Sequence, residues 1–303
     1  MNVIEEYKLT RQRLFDATGI QPQSKIVSTN GQVKNIHYLE LGSGKPLILV
    51  HGGGGHSGDL ISIMKPLAEH FHLYVVDRPG CGLSDTINYR GIDVAKSAVD
   101  FIRSFMDAVG LKKALLGGNS MGGTFCVYFA LQYPERVEKL LLISYSAGMT
   151  TEAPLMLRLL SIRGLNSFLS ATVGKPTIKN IVTMYKQILV ADVSKLTDDY
   201  LQNKRYSSLI SGTDDAFLTM AESVLNLKGF KKKFYIGDKL GQLKMPVRFV
   251  WGEKDVFQSP DSGLKIAKTI KDYKFEVVEN AGHMPWLDQP EKCSKLLIKV
   301  LEE

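Results

Sequence analysis

The feature that most constrains this chain is a rhythm. Short, nearly unbroken apolar runs alternate with stretches long enough for helices. The runs are PLILVHG at 46–52, HLYVVDRPG at 72–80, ALLGGNS at 114–120 and VEKLLLISYSAG at 137–148. Side chains alternate sides along a strand, so a run without polar interruption suits a strand covered on both faces. Helical stretches fall near 60–70, 93–110 and 121–133. Strands and helices in this order predict an α/β fold with a mostly parallel sheet and helices on both faces. IHYLEL at 36–41 alternates instead and predicts an edge strand. The rhythm lapses from Met149 to about Leu240, where the chain reads as short helices rich in Leu, Met, Tyr and Lys. That segment is too long for a bare loop in a compact domain. The rhythm resumes at PVRFVWGEKD, 246–255, with a helix near 261–271, a strand FEVVEN at 275–280 and a last helix from Pro290. The expected organisation is a core of residues 1–148 and 241–303, opened by a helical lead-in over 1–24 that Gly19 ends, and a helical cap over 149–240.

Composition excludes several classes of function. Apolar residues make up 44% of the 303, and charged residues 23%, ordinary values for a globular chain. The longest apolar runs are far too short to cross a bilayer. The charged N-terminus, MNVIEEYKLTRQRLFD, lacks the apolar core of a secretory signal peptide, so a cytoplasmic protein is expected. The formal charge is +7, yet Lys and Arg are scattered, and the one run, Lys231–Lys233, has no nucleic-acid motif beside it. No nucleic-acid partner is expected; a small-molecule substrate is, and a homodimer is allowed. Cys81, Cys126 and Cys293 are odd in number and widely spaced, with no CxxC pair for zinc or redox chemistry. No metal and no cofactor is expected.

Chemistry concentrates at four strand ends. Gly118-Asn119-Ser120-Met121-Gly122-Gly123 lies between an apolar strand and a helical run. A serine at the apex of a tight strand-to-helix turn needs small neighbours so that the two backbones can approach. His51-Gly52-Gly53-Gly54-Gly55 closes an earlier strand. Acyl transfer builds an oxyanion that needs preorganised N–H donors; Gly53, with Gly54 as second choice, and the amide of Met121 are the candidates. The loop also matches GxGxxG over Gly53–Gly58, with Asp77 ending the next strand, a lone match that carries little. Ser120 needs a base with a pKa near 7, and His283, in Ala281–Trp286 after the last predicted strand, is placed to serve. The acid should fall between serine and histidine in chain order. Asp255 is the choice and Glu253 the alternative, whereas the end of the preceding strand, Ile143–Ser146, holds no carboxylate. Asp77 precedes the serine and reads as loop-shaping. His56 could line the pocket. His51, His37, His70 and His72 read as packing or surface residues.

HGGGG, DRPGCGLS, GNSMGG and the WGEKD…GHMPW pair, in that order and spanning 46–286, resemble the α/β-hydrolase superfamily. The resemblance implies Ser120, Asp255 and His283 as triad and Gly53 and Met121 as oxyanion hole. A serine nucleophile separates the chain from the haloalkane dehalogenases and epoxide hydrolases of this fold, which use Asp. GNSMGG is also similar to the meta-cleavage-product C–C hydrolases, which carry a cap arginine and commonly a Trp after the catalytic His. Arg205 matches the former; position 284 is Met, a departure, with Trp286 two residues on. Arg158 and Arg163 are further cap cations. Three readings follow: a carboxylic-ester hydrolase of small or medium apolar acyl groups, a C–C hydrolase of vinylogous diketones, and a non-catalytic receptor.

Overall fold

The computed structural model describes residues 2–303. The chain opens with α1 (Val3–Thr18), β1 (Gln23–Ser28), β2 (Asn35–Leu41), β3 (Lys45–Val50), α2 (Ile61–Ala68) and β4 (Phe71–Val76). It continues with α3 (Val94–Ala108), β5 (Ala114–Asn119), α4 (Met121–Gln132) and β6 (Val137–Ile143). An insertion follows: α5 (Leu155–Leu159), α6 (Leu165–Ala171), α7 (Ile178–Met184) running into a π turn at Tyr185–Leu189, α8 (Asp198–Leu209), α9 (Thr213–Val224) and a small hairpin, β7 (Leu225–Asn226) with β8 (Gly229–Phe230). The sheet then resumes with β9 (Val247–Gly252), α10 (Pro260–Ala267), β10 (Tyr273–Val278), α11 (Pro285–Asp288) and α12 (Pro290–Glu302).

The main sheet has eight strands in the order β1-β2-β4-β3-β5-β6-β9-β10. From β4 to β10 every pairing is parallel; β1 and β2 are antiparallel additions at one side. The apolar runs explain why. Along β3, Ile48 and Val50 pack with Phe101, Phe105 and Phe125 of α3 and α4. Leu47 and Leu49 pack on the opposite face with Met64, Leu67 and Leu297 of α2 and α12. Each such fully buried side chain stabilises the fold by about 1.5–3 kcal/mol relative to leaving it in water.

One expectation is corrected. β2 is not an edge strand, because β1 covers it along its length from Gln23↔Glu40 to Ser28↔Asn35. β1, which overlaps the stretch read as a helical lead-in only at residues 23 and 24, has no buried residue, so it lacks an apolar signature in the sequence. The helix before it ends at Thr18, capped by Gly19 in the left-handed conformation at φ 64°.

Parallel strands point their carboxyl ends the same way, and ligands in open α/β sheets bind in the crevice outside those ends. Here that edge carries the glycine loop after β3, Ser120 after β5, Asp255 after β9 and His283 after β10. Of the described helices, none is long and apolar enough to cross a membrane.

Candidate active site

Ser120 occupies a turn that most residues avoid, with φ 52° and ψ −121°. Its neighbours show how the turn survives. A Cβ on Gly118 would lie 2.5 Å from the backbone carbon of Gly122. A Cβ on Gly122 would lie 2.2 Å from the Val50 carbonyl oxygen. The elbow is therefore wedged between β3 and the first turn of α4, with no space for side chains at either glycine. Ser120 itself is half-buried. Met121 begins α4, so its amide has no acceptor within the helix and is free to meet an anion.

The loops that carry Asp255 and His283 converge on this elbow. His283 Nδ1 lies 2.9 Å from Asp255 Oδ2. The Asp255 carboxylate also accepts the amides of Tyr145 at 3.2 Å and Phe257 at 3.0 Å. The end of β6 thus supplies an amide where it lacks a carboxylate. With Nδ1 bonded to the carboxylate, Nε2 faces away, and it is buried without a hydrogen-bond partner. The bond to Ser120 is not closed in this structure. Asn119, the residue before the serine, bridges the two: its side-chain amide donates to the His283 carbonyl at 3.2 Å and to Ile143 at 3.0 Å. The Phe257 ring lies 4.2 Å from the imidazole, centroid to centroid. Glu253 is held elsewhere, accepting the Asn280 amide at 2.8 Å.

The glycine loop is braced from below and from above. Gly55 donates to the Gly52 carbonyl at 3.2 Å, which leaves Gly53 and Gly54 at the tip of a tight turn. Below, the buried Arg78 guanidinium donates to the carbonyls of His51 at 3.1 Å and Gly52 at 2.7 Å. With those carbonyls turned toward Arg78, the loop can offer its N–H groups to the crevice. Above, the buried Lys204 ammonium of α8 donates to the Gly54 carbonyl at 2.6 Å and lies 3.6 Å from Asp59 Oδ2. The Phe217 ring of α9 sits over the same tip, within 3.8 Å of where a Cβ on Gly53 would be.

The remaining expected residues have other surroundings. The Trp286 indole is buried and donates to the Asp59 carbonyl at 2.6 Å. His56 is buried against the Tyr7 hydroxyl at 3.2 Å and accepts the Gly58 amide at 3.0 Å. Burial pushes its pKa down to about 4, so the ring is neutral. His51 receives the Arg78 amide at 3.0 Å, and burial with Arg78 nearby lowers its pKa to about 3. Both the Trp286 and His56 side chains are buried. The Arg205 guanidinium lies over its neighbour's ring, Tyr206, at 5.1 Å. Arg158 donates to the Ala153 carbonyl, and Arg163 is exposed. Asp77 is fully buried and accepts the Ser57 and Leu83 amides, with His37 Nδ1 at 2.6 Å; it shapes the loop after β4. His70 and His72 pair with Glu302 and Glu40 away from the elbow. All three cysteines are buried and unpaired. Among the described residues no group of three or more His, Cys, Asp or Glu is placed to hold a metal ion.

Residues 45–290 match the family model for the alpha/beta hydrolase fold. The chain belongs to the α/β-hydrolase family. This α/β hydrolase is 29% identical over 280 residues to the 2-hydroxy-6-oxononadienedioate/2-hydroxy-6-oxononatrienedioate hydrolase of Paraburkholderia phymatum, covering 91% of this chain and 93% of that protein. Its fold is similar to carboxylesterase CesB of Bacillus subtilis, with a TM-score of 0.78 at 20% identity over 99% of each chain. It is also similar to 2-hydroxy-6-oxo-6-phenylhexa-2,4-dienoate hydrolase of Rhodococcus, with a TM-score of 0.77 at 23% identity, covering 93% of this chain and 100% of that one. Those structural likenesses show the fold alone; a second sequence relative, 27% identical over 278 residues and covering 88% of this chain and 91% of that protein, is named 2-hydroxy-6-oxo-6-phenylhexa-2,4-dienoate hydrolase, from Comamonas testosteroni. Asn119, Arg78 and Lys204 were not singled out from the sequence, because each acts through backbone atoms that only the fold brings near.

Proposed function

We propose that this α/β hydrolase cleaves a carbon–carbon bond beside a ketone in a 2-hydroxy-6-oxo dienoate, using Ser120 as nucleophile, His283 as base and Asp255 as the group that holds the base. The roles of the three residues rest on the His283–Asp255 bond beside a strained serine, with Nε2 left unpartnered, and the choice of C–C chemistry is carried by the relatives named as hydrolases of 2-hydroxy-6-oxo dienoates. Ser120 adds to the ketone carbon and gives its proton to Nε2. The amides of Met121 and of Gly53 or Gly54 receive the oxyanion. Cleavage proceeds from the 2-oxo tautomer, formed beforehand by moving a proton from the 2-hydroxyl to the carbon beside the ketone. Collapse of the serine adduct then breaks the C–C bond, and the electron pair leaves as an enolate conjugated through to the 2-oxo group and takes the proton held on His283. Water, activated by His283, then releases the acyl group from Ser120.

A dienoate carries a carboxylate, so its pocket needs a cation. Lys204 is the buried cation beside the glycine loop, and it takes that role in place of Arg205. Its ammonium has three N–H groups, one on Gly54 and one toward Asp59. In this proposal the third goes to the substrate carboxylate.

A second reading, hydrolysis of a neutral carboxylic ester, is favoured by the same ion pair, since Asp59 already balances Lys204. Phe217 and Phe257 give the crevice apolar walls in either case. Turnover of a 2-hydroxy-6-oxo dienoate and of p-nitrophenyl butyrate by wild type and Lys204→Met separates the two. The C–C reading expects the dienoate to be the better substrate and its KM to rise at least tenfold in the variant. Efficient ester turnover with no dienoate cleavage would transfer the case to the second reading.

A further inference from the structure

The loop that carries His283 is attached to the insertion at two points. On one side of the histidine, the Gly282 amide donates to Asp288 Oδ2 at 2.8 Å. The same carboxylate accepts the amides of Ala191, at 3.0 and 2.9 Å to its two oxygens, and Asp192 at 2.9 Å. On the other side, the Met284 amide donates to the Leu189 carbonyl at 2.9 Å. The contact is close enough that a Cβ on Gly282 would lie 2.9 Å from that same Leu189 oxygen. Lys195 closes the cluster, its ammonium 2.6 Å from the Asp288 carbonyl. Asp288 is itself fully buried, so its charge is held by these amides and not by water.

We propose that Asp288 is a positioning residue that couples the seating of the insertion to the alignment of His283. A buried carboxylate that loses its N–H donors is costly. Residues 189–192 therefore cannot lift away without depriving the Met284 amide of its acceptor and the Asp288 carboxylate of its Ala191 and Asp192 donors. Seating of 189–192 fixes the peptides on both sides of His283, and with them the direction of Nε2. Withdrawal of 189–192 releases that direction. The α7 helix reaches this point through the π turn at Tyr185–Leu189, a wider turn often found where a helix serves a functional site.

The inference rests on the catalytic assignment above, and the test separates the two. Wild-type protein, Asp288→Asn and Ala191→Pro are labelled with a fluorophosphonate, and the limiting labelling rate, the apparent affinity for the probe and the melting temperature are measured. Asp288→Asn puts an amide N–H against backbone donors. Ala191→Pro removes one donor from the insertion side and leaves the Asp288–Gly282 bond in place. The expected result is a limiting rate lowered at least tenfold in both variants, with affinity within threefold of wild type. A merely structural role would lower the melting temperature and leave that rate unchanged. A wild-type rate in Asp288→Asn overturns the proposal. A slow Asp288→Asn beside a wild-type Ala191→Pro overturns the coupling to the insertion. If Asp288→Asn does not fold, Ala191→Pro alone decides by the same measure. Failure of wild type to label would instead strike the assignment of Ser120.

Discussion

The nucleophile elbow and the helical insertion hold the same crevice by different physics. The elbow is fixed by exclusion: at Gly118 and Gly122 the backbones of β3, β5 and α4 approach so closely that no Cβ fits. The insertion is fixed by buried polar ties, through Lys204 and Asp59 to the glycine loop and through Asp288 to the histidine loop. Close packing has essentially one solution, whereas a hydrogen-bonded seat can be made and broken. Under the proposed mechanism the chemistry sits on the rigid part, and access and substrate choice belong to the part that can unseat.

If that division holds, the largest loss comes from the rigid part. Ser120→Ala and His283→Ala should each lower turnover by about 10⁴-fold or more, since residues that act as a unit fail together. A variant with near-normal turnover would remove the triad. Gly122→Ala should destabilise the fold by about 3 kcal/mol, near the upper end for overpacking, because its Cβ meets backbone and not a yielding side chain. Urea denaturation reads this directly, and an unchanged midpoint would mean the elbow is looser than the contacts imply.

Protonation sharpens the comparison further. His51 and His56 beneath the insertion have pKa values lowered by burial to about 3 and about 4, from 6.5. The unfolded chain binds protons at these sites before the folded one does. Their neutral, packed state therefore contributes fully above pH 6.5 and is lost progressively as pH falls toward 4, at up to about 1.4 kcal/mol per pH unit for each ring. Unfolding free energy measured between pH 7 and pH 5 should show this slope, and His56→Gln should reduce it. The smallest effect is expected at Arg205→Ala. Its guanidinium lies on Tyr206, so turnover should stay within twofold of wild type on either substrate class.

The division also explains what the sequence disclosed. Strands β3 to β6 and β9 announce themselves because both faces are covered and their residues are almost all apolar. Ser120, Asp255 and His283 are legible as candidates because a motif at a strand end is a local signal, and the structure brings their loops together. β1 is not, since Gln23–Ser28 buries nothing. Nor are the ties to the insertion. Lys204 and Arg205 are adjacent and chemically alike in sequence, and only the turn of α8 sets one inward against Gly54 and the other against Tyr206. Trp286 and His56 stand out by type and position; in the fold the Trp286 indole is engaged by Asp59 and His56 Nδ1 by Gly58 and Tyr7.

The central claim is that one hydroxyl on this sheet edge is made nucleophilic by one imidazole. Mass spectrometry of peptides from fluorophosphonate-treated protein tests it most directly. The account predicts a single adduct, on the peptide containing Ser120, that is absent when His283 is replaced by alanine. An adduct on another serine, or equal labelling of Ser120 without His283, would contradict it.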